Sequence, residues 1–144
     1  MPVQSYELDK LVFENLQPGQ GQLSKWKGKA SGIADYVASW GVERFWAMSR
    51  SPVLLGGNVP NIGEGTDEQR SYFAWGVARI VLCDILGREL GIQPNMDTEQ
   101  FQNRFSQLGF KQQVLLSDLL IEIAETIQFW TMRIADANEN NSNV

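Results

Sequence analysis

Six basic side chains offer this sequence its clearest chemistry with a ligand: Lys25, Lys29, Arg44, Arg50, Arg79 and Arg133. Each alone is an ordinary surface charge. Lys25 and Lys29 are i,i+4 neighbours on one helical face. Brought together on adjacent helices, the six would line a groove that neutralises phosphates. Exposed aromatic rings beside cations also stack on bases, and Trp46, near Arg44 and Arg50, is the local candidate. The carboxylates promise less. Glu122 and Glu125 have the three-residue spacing of some metal sites, but a di-iron bundle also needs Glu-x-x-His pairs. Both lie on the polar side of their helix, so a solvated face is expected, with no metal and no cofactor. Glu64, Asp67 and Glu68 sit at a predicted helix start, where the helix dipole favours negative charge.

Composition narrows the chemistry further. There is no histidine, which removes the commonest general base and the commonest metal ligand. The one cysteine, Cys83, lies in the apolar run IVLCDIL and reads as a buried structural thiol. Catalysis is therefore not expected. The 12 Lys and Arg against 17 Asp and Glu give a net charge of −5, which argues against a free-standing nucleic-acid binder. A basic stripe on one face of a larger assembly remains compatible with that balance. The 144 residues, 43% hydrophobic and 20% charged, suit one globular domain with a real core. The opening MPVQSYELDK has no signal pattern, and no run approaches 18 uninterrupted apolar residues. A cytoplasmic protein without membrane contact is expected.

The elements that must position these residues are all helical. Residues 114–137, VLLSDLLIEIAETIQFWTMRIADA, place Leu116, Leu120, Ile123, Ile127, Trp130 and Ile134 on one stripe. Phe129 and Met132 fall outside it, among polar neighbours, and could mark contact with another chain. Residues 5–16 predict a short helix, broken by Pro18-Gly19-Gln20-Gly21. From Gln22, the positions Leu23, Trp26, Ala30, Ile33, Val37 and Trp40 alternate at three and four, ahead of a kink or stop at Gly41. Residues 51–65 form a long loop rich in Gly and Pro. It lacks the Lys-Ser/Thr pair and the preceding strand of a phosphate-cradling loop. Thr66 with Gln69 and Asp97 with Gln100 predict capping boxes. The first opens a widely apolar, central helix running to about Leu90, which Gly91 and Pro94 end. The second opens a short helix that Gly109 stops. No segment alternates with period two long enough for a strand. The fold expected is all-α, a compact bundle of five or six helices over 1–137, with a polar, disordered tail at 138–144.

Two stretches resemble a known family. Residues 33–48, IADYVASWGVERFWAM, resemble the second-helix region of the small subunit, the fifth Cmr-module protein, of type III-B CRISPR effector complexes. That region has an apolar helix, Gly-Leu, a polar pair and a Leu-Ala-Phe cluster. The corresponding residues are Gly41-Val42, Glu43-Arg44 and Trp46-Ala47-Met48. Residues 130–135, WTMRIA, resemble the family's Trp-x-x-Arg motif near the end of its last helix. The chain departs at Trp40, where the family usually has Asn, and in the length of the loop at 53–65. A variant type III complex would accommodate both departures and the acidic balance. The resemblance implies a non-catalytic small subunit for antiviral defence, stacked in copies along the effector backbone beside other CRISPR subunits. It implies phosphate contacts to the guide–target RNA duplex, for which Arg44, Arg50, Lys25, Lys29, Arg79 and Arg133 are the candidates. Phe129 and Met132 are candidates for a subunit interface, since stacked copies need two different self-surfaces. The composition alone equally allows an acidic all-helical protein–protein adaptor without nucleic-acid contact.

Overall fold

The apolar spacing and the two capping boxes carry through into a computed structural model of the chain, which describes residues 5–50 and 66–142. The loop expected at 51–65 lies outside the described residues. Helix α1 spans Ser5–Leu16 and passes through a 3-10 turn, Gln17–Gln22, into α2, Leu23–Ala30. Then come α3 (Ile33–Trp40), α4 (Val42–Arg50), the single turn α5 (Asp67–Arg70), α6 (Phe73–Leu90), α7 (Thr98–Gln107) and α8 (Phe110–Ser142). No strand occurs among the described residues. With α2–α3 taken as one interrupted helix and α5 set aside, six helices make the bundle.

Helix α8 is its spine, 33 residues and about 50 Å long. Leu116, Leu120, Ile123, Ile127 and Ile134 are buried as their spacing predicts, joined by Leu119, Ala124 and Thr131. That stripe meets α1, α2, α3 and α6. Helix α6 lies centrally, against α1, α2, α4 and α8, which explains why it is apolar on nearly every side. Helix α7 closes the structure by packing on α4. No helix among the described residues is long and apolar enough to cross a membrane.

The capping boxes form as predicted. Thr66 Oγ1 accepts from the Gln69 amide at 3.2 Å while Gln69 Oε1 accepts from the Thr66 amide at 2.8 Å. Asp97 and Gln100 make the same exchange at 2.8 and 2.9 Å. Three boundaries differ from expectation. The stripe from Leu23 to Trp40 is interrupted at Ser31 and Gly32, which separate α2 from α3, while Ile33 and Val37 beyond the break stay buried. The helix opened by Thr66 pauses at Ser71 and Tyr72 before α6 begins. Helix α8 continues through the residues expected as a disordered tail, as far as Ser142. No Gly or Pro interrupts it there, and Asn138 is half-buried beside Gln20 and Leu23.

Four tryptophans join these helices, three with buried rings and Trp130 half-buried, each donating its indole N–H to a neighbour, as indoles out of water require. Trp26 donates to the Gly19 carbonyl at 2.8 Å, fixing the 3-10 turn. Trp75 donates to the Lys29 carbonyl at 3.0 Å and joins α6 to α2. Trp46 donates to the Met96 carbonyl at 2.9 Å, with its ring stacked on Phe101 at 4.2 Å. Trp130, half-buried, donates to Asp9 Oδ1 at 3.0 Å and meets the Phe13 ring, joining α8 to α1.

Candidate nucleic-acid interface

Gly41 sets the geometry of the site. Its φ of 90° and ψ of 172° end α3 and let α4 start afresh one residue later. The chain turns there without losing its hydrogen bonds, since the Gly41 N–H reaches the Val37 carbonyl at 2.9 Å and its own carbonyl accepts from Phe45 at 3.2 Å. The turn puts Trp40, at the end of one helix, beside Arg44, in the first turn of the next. The guanidinium lies over the indole, 4.8 Å from its centroid. Trp40 is 56% exposed, whereas Trp46 is fully buried. The aromatic partner of the cations is therefore Trp40 and not Trp46. Sequence spacing favoured the wrong ring because Trp40 continues the stripe of Ile33 and Val37, which are buried, whereas Trp40 is the last residue of α3 and is exposed where that helix ends. Its place directly before a helix-ending glycine was the available signal.

A groove of about 480 Å³ opens beside this pair. Trp40, Arg44, Glu43, Gln102, Phe105 and Ser117 are among its lining residues, drawn from α3, α4, α7 and α8. Gln102 Nε2 donates to Glu43 Oε2 at 3.1 Å across the α4–α7 junction. None of Trp40, Glu43, Gln102, Phe105 and Ser117 stood among the residues expected to bind.

The other cations separate into three groups. Lys25 and Lys29 do share a face of α2, toward α5 and α6. Lys25 Nζ pairs with Asp67 at 3.3 Å, both side chains exposed. Lys29 Nζ donates to Tyr72 Oη at 3.3 Å and sits 4.5 Å from that ring's centroid. Such surface pairing is worth roughly 0–1 kcal/mol, so a phosphate can displace it at little cost.

Arg50 and Arg79 are both interior, 7% and 6% exposed, so neither presents its guanidinium to an RNA backbone. Arg79 Nη1 donates to the Ser49 carbonyl and to Ser49 Oγ, joining α6 to the end of α4. Burial, then the charge of Arg50, lowers the Arg79 pKa from the usual guanidinium range to about 10. Arg50 Nε and Nη1 and Arg79 Nε have no hydrogen-bond partner among the described residues. The structure corrects these two arginines from RNA-facing to interior positions. Only Arg79 carries a clue in its flanks, VARIV in α6, where apolar residues surround the charge.

Arg133 is exposed on α8, 3.7 Å from Asp136 and over the Phe129 ring at 5.3 Å from its centroid. It lies sixteen residues along α8 from Ser117, or about 24 Å from the Arg44 groove. The cations therefore do not converge on one patch. Phe129 and Met132 are 51% and 43% exposed, on the surface as their spacing predicts. Glu122 and Glu125 are exposed too, beside Asp9 and Phe129.

No protein-family model, curated protein or solved structure matches the chain.

Proposed function

We propose that the chain is a non-catalytic small subunit of a type III CRISPR RNA-guided effector complex, acting in cytoplasmic antiviral defence. In this reading Lys25, Lys29 and Arg44 contact phosphates of the guide–target RNA duplex, with Arg133 as a more distant contact. Phosphate contacts position the protein and carry no sequence information, while base pairing supplies specificity. Phe129 and Met132 form part of the surface that meets another copy or a neighbouring subunit.

The observation that carries this reading is how the two resembling segments are disposed. Each buries one side in the bundle and presents an arginine outward. In GVER, Val42 and Phe45 beyond it are buried while Arg44 is exposed over Trp40. In WTMR, Thr131 is buried while Met132 and Arg133 are exposed. Segments of this kind supply ligand contacts as well as core.

The adaptor reading has its own support. The chain is acidic, two of the six candidate cations are interior, and the exposed Phe129 and Met132 suit a protein partner. Binding of target RNA by the assembled complex over a salt series separates the two. Lys25→Glu, Lys29→Glu and Arg44→Glu together should weaken binding, and the log–log salt slope should flatten by about 1 for each phosphate that is no longer neutralised. An unchanged affinity and slope would assign the chain to the adaptor class.

A further inference from the structure

We propose that the groove beside Trp40 receives one unpaired nucleobase, stacked on the indole and held at its edge by Glu43. This rests on the reading that the chain meets RNA, and adds to it a contact that is not to phosphate. The first ground is the tryptophans. The other four use their indole N–H groups inside the protein, at carbonyls or at Asp9. Trp40 is the one that is mostly exposed, at 56%, and it lines an open groove. An exposed indole beside a guanidinium is the combination on which single-stranded bases stack.

The second ground is the chemistry of the wall. The Glu43 carboxylate, 3.1 Å from Gln102 Nε2, stands in the same groove as Arg44. A carboxylate repels a phosphate, so the groove itself does not suit the backbone of a duplex. It suits a ligand with an aromatic face and an N–H edge. Cytosine, adenine and guanine each have an exocyclic amine that a carboxylate accepts from. Uracil offers only a ring N–H between two carbonyl oxygens, which the same carboxylate repels. Arg44 is then placed to meet the phosphate that flanks the stacked base. The volume, about 480 Å³, falls in the range of small-ligand sites. The groove is thus selective for amino-bearing bases over uracil, a preference that backbone contacts cannot produce.

The test uses the purified full chain and three RNA hexamers, all cytidine, all uridine, and one of equal charge with abasic positions. Binding is followed by quenching of tryptophan emission and, separately, by fluorescence anisotropy of labelled hexamers. The cytidine hexamer should quench the exposed indole and bind about tenfold more tightly than the abasic one, the worth of one stacked base. The uridine hexamer should fall between them. Trp40→Ala should bring all three to the abasic level, and circular dichroism should be unchanged, because that ring is outside the core. Glu43→Gln should narrow the gap between cytidine and uridine while keeping the quenching. Equal binding of cytidine and abasic hexamers, or a ratio unmoved by Trp40→Ala, would overturn the base site and leave the phosphate contacts of Lys25 and Lys29 standing. Failure of every hexamer to bind at low salt would overturn the base site, while the phosphate reading, which concerns the assembled complex, stands or falls on the salt series above. Burial of Trp40 by a co-purifying protein in place of RNA would make the groove a protein-docking surface and overturn the proposal.

Discussion

Cys83 and Arg79 stand one helical turn apart on α6 and are perturbed by the same cause, loss of water. Burial raises the Cys83 thiol from 9.0 to about 12, with Arg79 lowering it and Asp84 raising it by smaller amounts. Burial lowers Arg79 to about 10. The sign of the linkage follows from proton counts. Above pH 9 the unfolded chain loses the Cys83 proton while the folded chain keeps it, so this contribution to stability is full below 9 and is lost as pH rises toward 12. Arg79 acts the other way above about 10, where the folded chain loses its proton first. Urea denaturation between pH 8 and 10 should therefore show stability falling from about pH 9, and Cys83→Ala should remove that fall. A thiol reagent at pH 8 should label native Cys83 only as fast as the chain opens, and rapid labelling would contradict the burial. The inert thiol was legible in the sequence because apolar neighbours surround it. Of the interior arginines, Arg79 had only its apolar flanks as a clue and Arg50 had none, since residue type alone places a guanidinium at the surface and burial comes from tertiary packing.

Gly41 is the element on which the candidate site depends. Its φ of 90° with extended ψ is a region that side chains with a Cβ rarely enter. A Cβ added there meets no atom within 4 Å, so the cost of Gly41→Ala is backbone strain and not collision. The substitution should lower unfolding free energy by about 1–3 kcal/mol and loosen the Trp40–Arg44 pair. Undiminished stability would mean that the α3–α4 turn is not held in this form. At this scale the sequence was informative wherever the signal is local. Both capping boxes, the Gly91 stop at φ 71° and the buried stripe of α8 depend on residues within a few positions of one another. It was misleading where two local signals compete. The stripe that buries Ile33 and Val37 also points Trp40 inward, but Gly41 ends α3 directly after it and the ring is exposed, and periodicity gives no weight to where a helix ends. The groove itself joins α4 to α7 through Glu43 and Gln102, 59 residues apart, a distance that no helical pattern encodes.

For the molecule as a whole, the all-α class follows from helical periodicity and from the absence of strand alternation. The order of burial follows from which helix is apolar all round. What a bundle of this kind does is decided by its surface, and here the surface divides into distinct regions. Lys25 and Lys29 face outward from α2, Trp40 and Arg44 border a groove at the α3–α4 turn, and Phe129, Met132 and Arg133 occupy the far part of α8. Separate regions suit a subunit with several neighbours better than a protein with one ligand. The most direct test is purification of the tagged chain from its native host, with mass spectrometry of the proteins and sequencing of any RNA retained. The account predicts CRISPR-associated subunits together with guide RNA. An RNA-free complex with one unrelated protein would contradict it, and the exposed cations would then be ordinary surface charge on an acidic adaptor.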